Sequence, residues 1–353
     1  MARLNPKAVL GTFLDAESNP QFDKADVVTF GVSFDLTSSY GKGACFGPYA
    51  LFDASQQLEW EVPVFHKPLN DKVIIHNAGV LEYPEASKVS FEDEKAKALC
   101  VEMVSDVRQL SEKAIKEKKL LFVIGGEHSV TNGVIDSIAK LHDPKDVCIL
   151  QFDAHLDLRD EHWDSKLSHA CVMKRALDKG FSLIQLGIRD RISGEEISLI
   201  KRKKLAENIF FCPTQAEELY GSERVLCRDN LIVDGVLSRK QVEKILSKID
   251  KKYLYISVDI DALDSSIAPA TGTPMPGGLM LKAVQDMIFA TLAHAKKKDI
   301  SFLGFDICEV APQLRDPKVG YEKDNVISNI TEFNSASLAY DILFWNFLER
   351  FKK

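Results

Sequence analysis

The chain has no Cys-x-x-Cys pair; its seven cysteines, Cys45, Cys100, Cys148, Cys171, Cys212, Cys227 and Cys308, are scattered. An odd, unclustered set reads as reduced thiols of a cytoplasmic protein, not as a disulfide framework. No stretch approaches the ~18 consecutive apolar residues that a membrane span needs, so none is expected. The first residues, Met1-Ala2-Arg3-Leu4-Asn5-Pro6, lack the apolar run of a signal peptide. There is no excess of positive charge either: the net charge is −7. That argues against a nucleic-acid surface, which is normally basic, and is compatible with a cationic substrate. No repeat, low-complexity tract or Pro/Ser-rich linker divides the 353 residues.

What is present is ordinary for a globular protein: 45% apolar and 27% charged residues. Short β-branched runs suggest strands at Val27–Phe34, Leu120–Ile124, Val147–Phe152, Leu183–Leu186, Ile209–Phe211, Leu254–Val258 and Phe302–Phe305. Ala96, Leu99, Met103, Val107, Leu110 and Ala114 recur at helical spacing. A second helix is expected from Leu281 to the Lys296-Lys297-Lys298 run, and a third with Leu338, Ile342, Trp345 and Leu348 on one stripe. Alternating strands and helices imply a mostly parallel sheet with helices on both faces. We read one domain over residues 1–353, with a short N-terminal lead at 1–25. The least regular stretch is 201–252. It opens on Lys201-Arg202-Lys203-Lys204, a charge run best read as a solvated helix end or loop.

Four polar segments each follow a predicted strand: Gly125-Gly126-Glu127-His128-Ser129, Asp153-Ala154-His155-Leu156-Asp157, Asp259-Ile260-Asp261 and Asp306-Ile307-Cys308-Glu309. Ligands of open parallel sheets bind beyond the carboxyl ends of the strands, where such segments converge. Residues two apart share a face of an extended chain, which aligns Asp153, His155 and Asp157, and also Asp259 with Asp261. With His128 this makes four carboxylates and two imidazoles. Four buried carboxylates require cations, and two divalent ions would balance them. An oxygen-rich set with some imidazole and no cysteine suits Mn²⁺ better than Zn²⁺. A lone Asp after a strand is more often a cap or a turn than a ligand; the combination of segments, in this order, is what points to metal.

These segments resemble the motifs of the ureohydrolase (arginase/agmatinase) family: Gly-Gly-x-His-Ser at Gly125–Ser129, Asp-Ala-His-x-Asp at Asp153–Asp157, Ser-x-Asp-x-Asp-x-x-Asp at Ser257–Asp264, and Asp-x-x-Glu-Val at Asp306–Val310. A Pro/Gly-rich tail follows the third, from Ala268 to Leu279. The resemblance covers roughly residues 25–350 and implies an α/β fold of three layers, α/β/α, with a central, mostly parallel eight-stranded sheet. It implies two Mn²⁺ per chain, although other divalent metals such as Ni²⁺ also suit the set. One ion would be held by His128, Asp153, Asp157 and Asp259, the other by His155, Asp153, Asp259 and Asp261. It further implies a homotrimer or homohexamer.

The agmatinase branch is the best match. Gly43–Pro48, Ala54–Glu59 and Ser168–Met173 are similar to that branch, and the Asn/Thr/Ser-rich loop of arginases is absent. Ser265, Ala270 and Met275 depart from residues usual in the family, near where substrate would lie. The expected reaction is hydrolysis of a cationic guanidino substrate to urea and an amine, with agmatine giving putrescine. Metals would activate a water, Glu309 would hold the guanidinium, Asp157 would take the hydroxide's proton and pass it to the leaving amine, and His169 would shuttle protons between solvent and that amine. His66, His76, His142, His162 and His294 are read as structural or solvent-exposed. Arginine, guanidinobutyrate, guanidine and formiminoglutamate are alternative substrates, and a non-catalytic metal-binding homologue is the alternative of another class. The acids Asp160, Glu161 and Asp164, in the segment 158–167, are expected to face the far end of the substrate and to favour an ammonium over a carboxylate.

Overall fold

A computed structural model describes all residues except 1, 2, 10, 16, 60, 63–66, 91, 92, 213–226, 316, 317 and 353. His66 and residues 213–226 of the irregular stretch therefore lie outside the described residues, as do Met1 and Ala2.

Eleven strands are described: β1 (Leu4–Asn5), β2 (Val27–Ser33), β3 (Glu61–Val62), β4 (Lys67–Pro68), β5 (Ile75–Glu82), β6 (Leu120–Ile124), β7 (Val147–Phe152), β8 (Ser182–Ile188), β9 (Ile209–Phe211), β10 (Tyr253–Asp259) and β11 (Ser301–Cys308). Strands β3 and β4 form a separate two-stranded ribbon. The other nine make one sheet in the order β1-β5-β2-β6-β11-β10-β7-β8-β9. Eight of these are parallel, matching the expected sheet, and β1 adds an antiparallel edge by pairing Leu4 with Leu81. The N-terminal lead expected at 1–25 is thus partly woven into the sheet, and its Phe13 and Leu14 are fully buried.

The central strands are mostly apolar because both faces are covered. Along β6, Leu120, Phe122 and Ile124 enter one core while Leu121 and Val123 enter the other. The first core is closed by helices α1 (Gly47–Ser55), α6 (Arg239–Lys248), α7 (Leu281–Lys297) and α8 (Ile330–Asn346). The second is closed by α2 (Glu94–Lys116), α3 (Thr131–Leu141), α4 (Val172–Lys179) and α5 (Gly194–Lys203). This is the three-layer arrangement. All six apolar positions predicted for α2 are buried. Leu338 and Ile342 of α8 are buried too, but Leu348 falls in a 3-10 turn beyond the helix. Helix α5 starts with a capping box between Ser193 and Glu196. It ends at the Lys201–Lys204 run, whose residues are exposed, as expected of a solvated helix end.

The sheet order has a functional consequence. The four strands that end in the polar segments, β6, β11, β10 and β7, are consecutive neighbours. Their carboxyl ends present the segments side by side.

Candidate active site

Each ligand candidate owes its place to a strand end. After β6 the chain turns between its neighbours. Glu127 N donates to Phe34 O (2.8 Å), and Glu309 N donates to Gly126 O (2.8 Å). A Cβ at Gly126 would stand 1.9 Å from Phe34 O, so only glycine permits this approach. The turn delivers His128 to the carboxylate cluster on a 3-10 turn leading into α3. Asp153 follows β7 directly, Asp259 is the last residue of β10, and Asp261 sits on the 3-10 turn Ile260–Ala262. The expected alternation along an extended strand does not operate here, because 153–157 and 260–262 have left the sheet. Asp157 reaches the cluster through a left-handed backbone (φ 52°), and Glu309 has one too (φ 64°). Non-glycine residues in that region cost energy, and such strain concentrates at functional sites.

All six ligand candidates converge. His128 Nδ1 lies 3.0 Å from Asp157 Oδ2, 3.1 Å from Asp153 Oδ2 and 3.6 Å from Asp259 Oδ2. His155 Nδ1 lies 3.0 Å from Asp261 Oδ2 and 3.5 Å from Asp153 Oδ1. Two groups emerge that could each hold an ion, His128–Asp153–Asp157 and Asp153–His155–Asp261, with Asp153 common to both. Asp259 stands between them; its Oδ1 accepts from Asp261 N (2.9 Å) and its Oδ2 faces His128.

A chain of buried hydrogen bonds orients His128. Its Nε2 meets Ser257 Oγ at 2.8 Å, and Ser257 Oγ donates to Asp306 Oδ1 at 2.8 Å. Tyr255 and Thr131 hydroxyls donate to Asp306 Oδ2 at 2.8 and 3.0 Å. Because Ser257 gives its proton to Asp306, it accepts from His128 Nε2–H, and Nδ1 carries a lone pair. That Nδ1 is buried, has no hydrogen-bond partner, and points into three carboxylates. Such an atom is what a metal ligand looks like, and the carboxyl-fixed imidazole behind it is the usual support.

Charge leads to the same conclusion. Burial, then the charge of Asp153, pushes Asp157 up to about 7. Burial and the neighbouring Asp261 and Asp153 raise Asp259 well above the usual carboxylate range. Burial and Glu127 lift Glu309 to about 8. Against the opposing effect of burial, Asp153 and Asp157 hold the His128 imidazole well above its ordinary value, so a proton takes the Nδ1 position unless a cation displaces it and meets the lone pair. The cluster therefore demands positive charge, which divalent cations would supply while keeping the carboxylates ionised. The residues fit a two-cation site.

The cluster floors a cavity of about 170 Å³. Asp157, Asp259, Asp261, His155 and Glu309 line it, and so do His169, Ser39 and Tyr40. Glu309 Oε1 accepts from His128 N at 2.8 Å. His169 starts the 3-10 turn before α4. Burial, then the neighbouring His162, brings its imidazole down to about 3, so it is neutral near pH 7.

The acids of the segment 158–167 do not behave as expected. Asp160 turns away to Arg175 (2.8 Å), Lys174 (3.2 Å) and Lys166 (3.6 Å). Neither Glu161 nor Asp164 lines the cavity; Arg159 and His162 do. Outside the cluster, the acids that line the cavity are Asp190, 3.5 Å from His155 Nε2, and Glu196, with Arg191 next to Asp190. Sequence reasoning also missed Arg189, a buried side chain that donates to the carbonyls of Asp261 (2.6 Å), Leu263 (3.2 Å) and Met275 (2.6 Å). It ties the loop that carries Asp261 to the Pro/Gly-rich tail. Its only local signal was an arginine closing strand β8.

The sequence model of the Arginase family matches residues 25–345. The chain belongs to the arginase family. It is an amidinohydrolase of the ureohydrolase type. It is 28% identical over 343 residues to the N(1)-aminopropylagmatine ureohydrolase of Synechocystis, covering 96% of this chain and 95% of that protein. It is 32% identical to the agmatinase of Pyrococcus horikoshii over 290 residues, 81% of this chain and 84% of that one. Among solved structures, the agmatine ureohydrolase of Thermoplasma volcanium superposes with a TM-score of 0.67 at 26% identity, covering 97% of this chain and 96% of that chain. Among the described residues of this arginase-family chain, no helix is long and apolar enough to cross a membrane.

Proposed function

We propose that this chain hydrolyses agmatine to urea and putrescine. Two divalent cations, for which Mn²⁺ is the best match, would be held by His128, Asp153, His155, Asp157, Asp259 and Asp261. The observation that carries the reading is the His128 Nδ1 aimed into the carboxylates without a hydrogen-bond partner, with Glu309, bonded to His128 N, lining the adjoining cavity. When bound, the cations supply Lewis acidity and a nucleophile derived from water at neutral pH.

The chain's own residues supply the rest. Glu309 has Oε1 engaged by His128 N–H, which leaves Oε2 free to accept from a guanidinium. Asp157 lies beside both His128 and the cavity and is placed to hold a proton. His169, neutral and in the cavity wall, takes a proton from solvent and gives it to the departing amine. In the cavity lining, Asp190 would favour an ammonium over a carboxylate, opposed by Arg159 and Arg191. If it faces a substrate carboxylate at ~6 Å with an effective dielectric of ~40, the penalty is on the order of 1.4 kcal/mol. That corresponds to roughly a tenfold preference for agmatine over arginine before the opposing charges of Arg159 and Arg191 are counted.

A second reading is N(1)-aminopropylagmatine, the compound named for a relative that covers nearly the whole chain. A panel of guanidino compounds, assayed for urea release with metal content measured on the same sample, tests both. Agmatine is expected to have the highest kcat/KM. Equal turnover of arginine would refute the agmatine assignment, and faster turnover of the aminopropyl compound would establish the second reading. Occupation of the site, the trimeric or hexameric state and the single-domain organisation are also proposals. Analytical ultracentrifugation checks the assembly.

A further inference from the structure

Thr37 is fully buried in the loop after β2 and takes no part in the chemistry assigned above. Its Oγ1 stands at the centre of a small network. It lies 2.5 Å from Glu127 Oε1, 3.1 Å from His169 N and 3.2 Å from His169 Nδ1. A hydroxyl has one proton and two lone pairs. The backbone N–H of His169 can only donate, so it takes one lone pair. Glu127, also fully buried, collects hydroxyls from Thr37, from Ser129 at 2.5 Å and from Ser38 at 3.2 Å. Thr37 and Ser129 share the one oxygen Oε1, each at 2.5 Å, so that oxygen accepts from both and the Thr37 proton goes to Glu127. The one remaining lone pair faces His169 Nδ1, which must then carry hydrogen. Ser168 Oγ, 3.3 Å from the same nitrogen, can accept from it as well.

The tautomer follows from these partners. With Nδ1 protonated and the ring neutral, Nε2 carries the lone pair. Nε2 is 3.3 Å from Ser39 Oγ, and both residues line the cavity. We propose that Thr37, anchored by Glu127, is a positioning residue that holds His169 as the Nδ1–H tautomer with Nε2 open to the cavity as a proton acceptor. This rests on the reading of His169 as a proton shuttle, and gives that shuttle its direction. The backbone bond from His169 N to the same hydroxyl also fixes the start of the turn, so one oxygen sets both the ring's place and its protonation.

The test compares Thr37→Val, which keeps the shape and removes the hydroxyl, with Thr37→Ser, which keeps the hydroxyl. Ring ¹⁵N shifts of His169 in ¹⁵N-histidine protein loaded with diamagnetic Mg²⁺, assigned by their loss in His169→Gln, read the tautomer directly. Wild type and Thr37→Ser are expected to show a protonated Nδ1 and a bare Nε2. In Thr37→Val the two signals move toward each other or exchange. In parallel, kcat for urea release should fall by at least roughly tenfold in Thr37→Val, with KM and metal content unchanged, and Thr37→Ser should restore it. A protonated Nε2 in wild type, or a wild-type pattern in Thr37→Val, overturns the proposal. If no guanidino compound yields urea, the substrate reading fails while the ring shifts still decide the positioning role.

Discussion

Replacing Glu332 by Gln should stabilise the protein at pH 8 and leave it unchanged at pH 4. Glu332 sits in the first turn of α8, 2% exposed, and neither carboxylate oxygen has a hydrogen-bond partner. Burial pushes its carboxyl up from 4.5 to about 7. Below the unfolded-state value near 4.5, both states hold the proton and the group imposes no pH-linked penalty. Between about 4.5 and 7 the unfolded chain gives up the proton and the folded chain keeps it, so the unfolded state binds fewer protons and stability falls as pH rises. Above the folded value both states are ionised and the penalty is complete. A shift from 4.5 to about 7, at about 1.4 kcal/mol per unit, makes it about 3 kcal/mol. For a chain of this size that is roughly 5 °C in Tm. Thermal melts of wild type and variant from pH 4 to 8, at fixed metal concentration, measure the difference directly, since other titrations cancel. A difference that stays flat across that range would refute the reasoning, because it would mean that the carboxylate is already satisfied in the folded protein.

Two further outcomes concern the cluster. Asp259→Asn removes the carboxylate that stands between the two ligand groups, so bound metal and urea release should be lost together; elemental analysis still finding two ions per chain would contradict the bridging role. Asp306→Asn leaves the Tyr255, Ser257 and Thr131 hydroxyls with one acceptor oxygen fewer and loosens His128. Metal affinity should weaken by roughly 10- to 100-fold while turnover at saturating metal recovers; an unchanged metal titration would show that His128 is held by packing alone.

The strands that carry the site were legible because they are short, apolar and β-branched. The limits expected for β6, β7 and β9 are the observed ones, and β10 and β11 extend only a few residues further. Strand β5 was not legible. Its sequence, Ile75 to Glu82, is interrupted by His76, Asn77 and Gly79, which break the apolar run. Those residues answer to distant partners: Asn77 bonds with Asn19 and Gly11, and a Cβ at Gly79 would lie 2.4 Å from Asn5 O on β1. The six ligand candidates were visible because the motif keeps them local to strand ends. Thr37 and Arg189 were not, since each acts on segments far along the chain and has no spacing to announce it. Asp160 misled for the converse reason. It is near the pocket in sequence, but Lys174 and Arg175 at the start of α4 draw it outward.

The adjacency of β6, β11, β10 and β7 has a temporal side. Glu309 and His128, joined by a hydrogen bond, are 181 residues apart, and Asp261 and Ala154 are 107 apart. During synthesis β6 and β7 emerge long before the strands that fit between them. Each must wait with an open edge, the condition in which partly made chains stick to one another. The cage for the cations closes only when β11 slides into the gap beside β6. Metal loading would thus report that the parallel sheet has been threaded in the right order, and ions bound at the junction would lock together three segments that lie far apart along the chain.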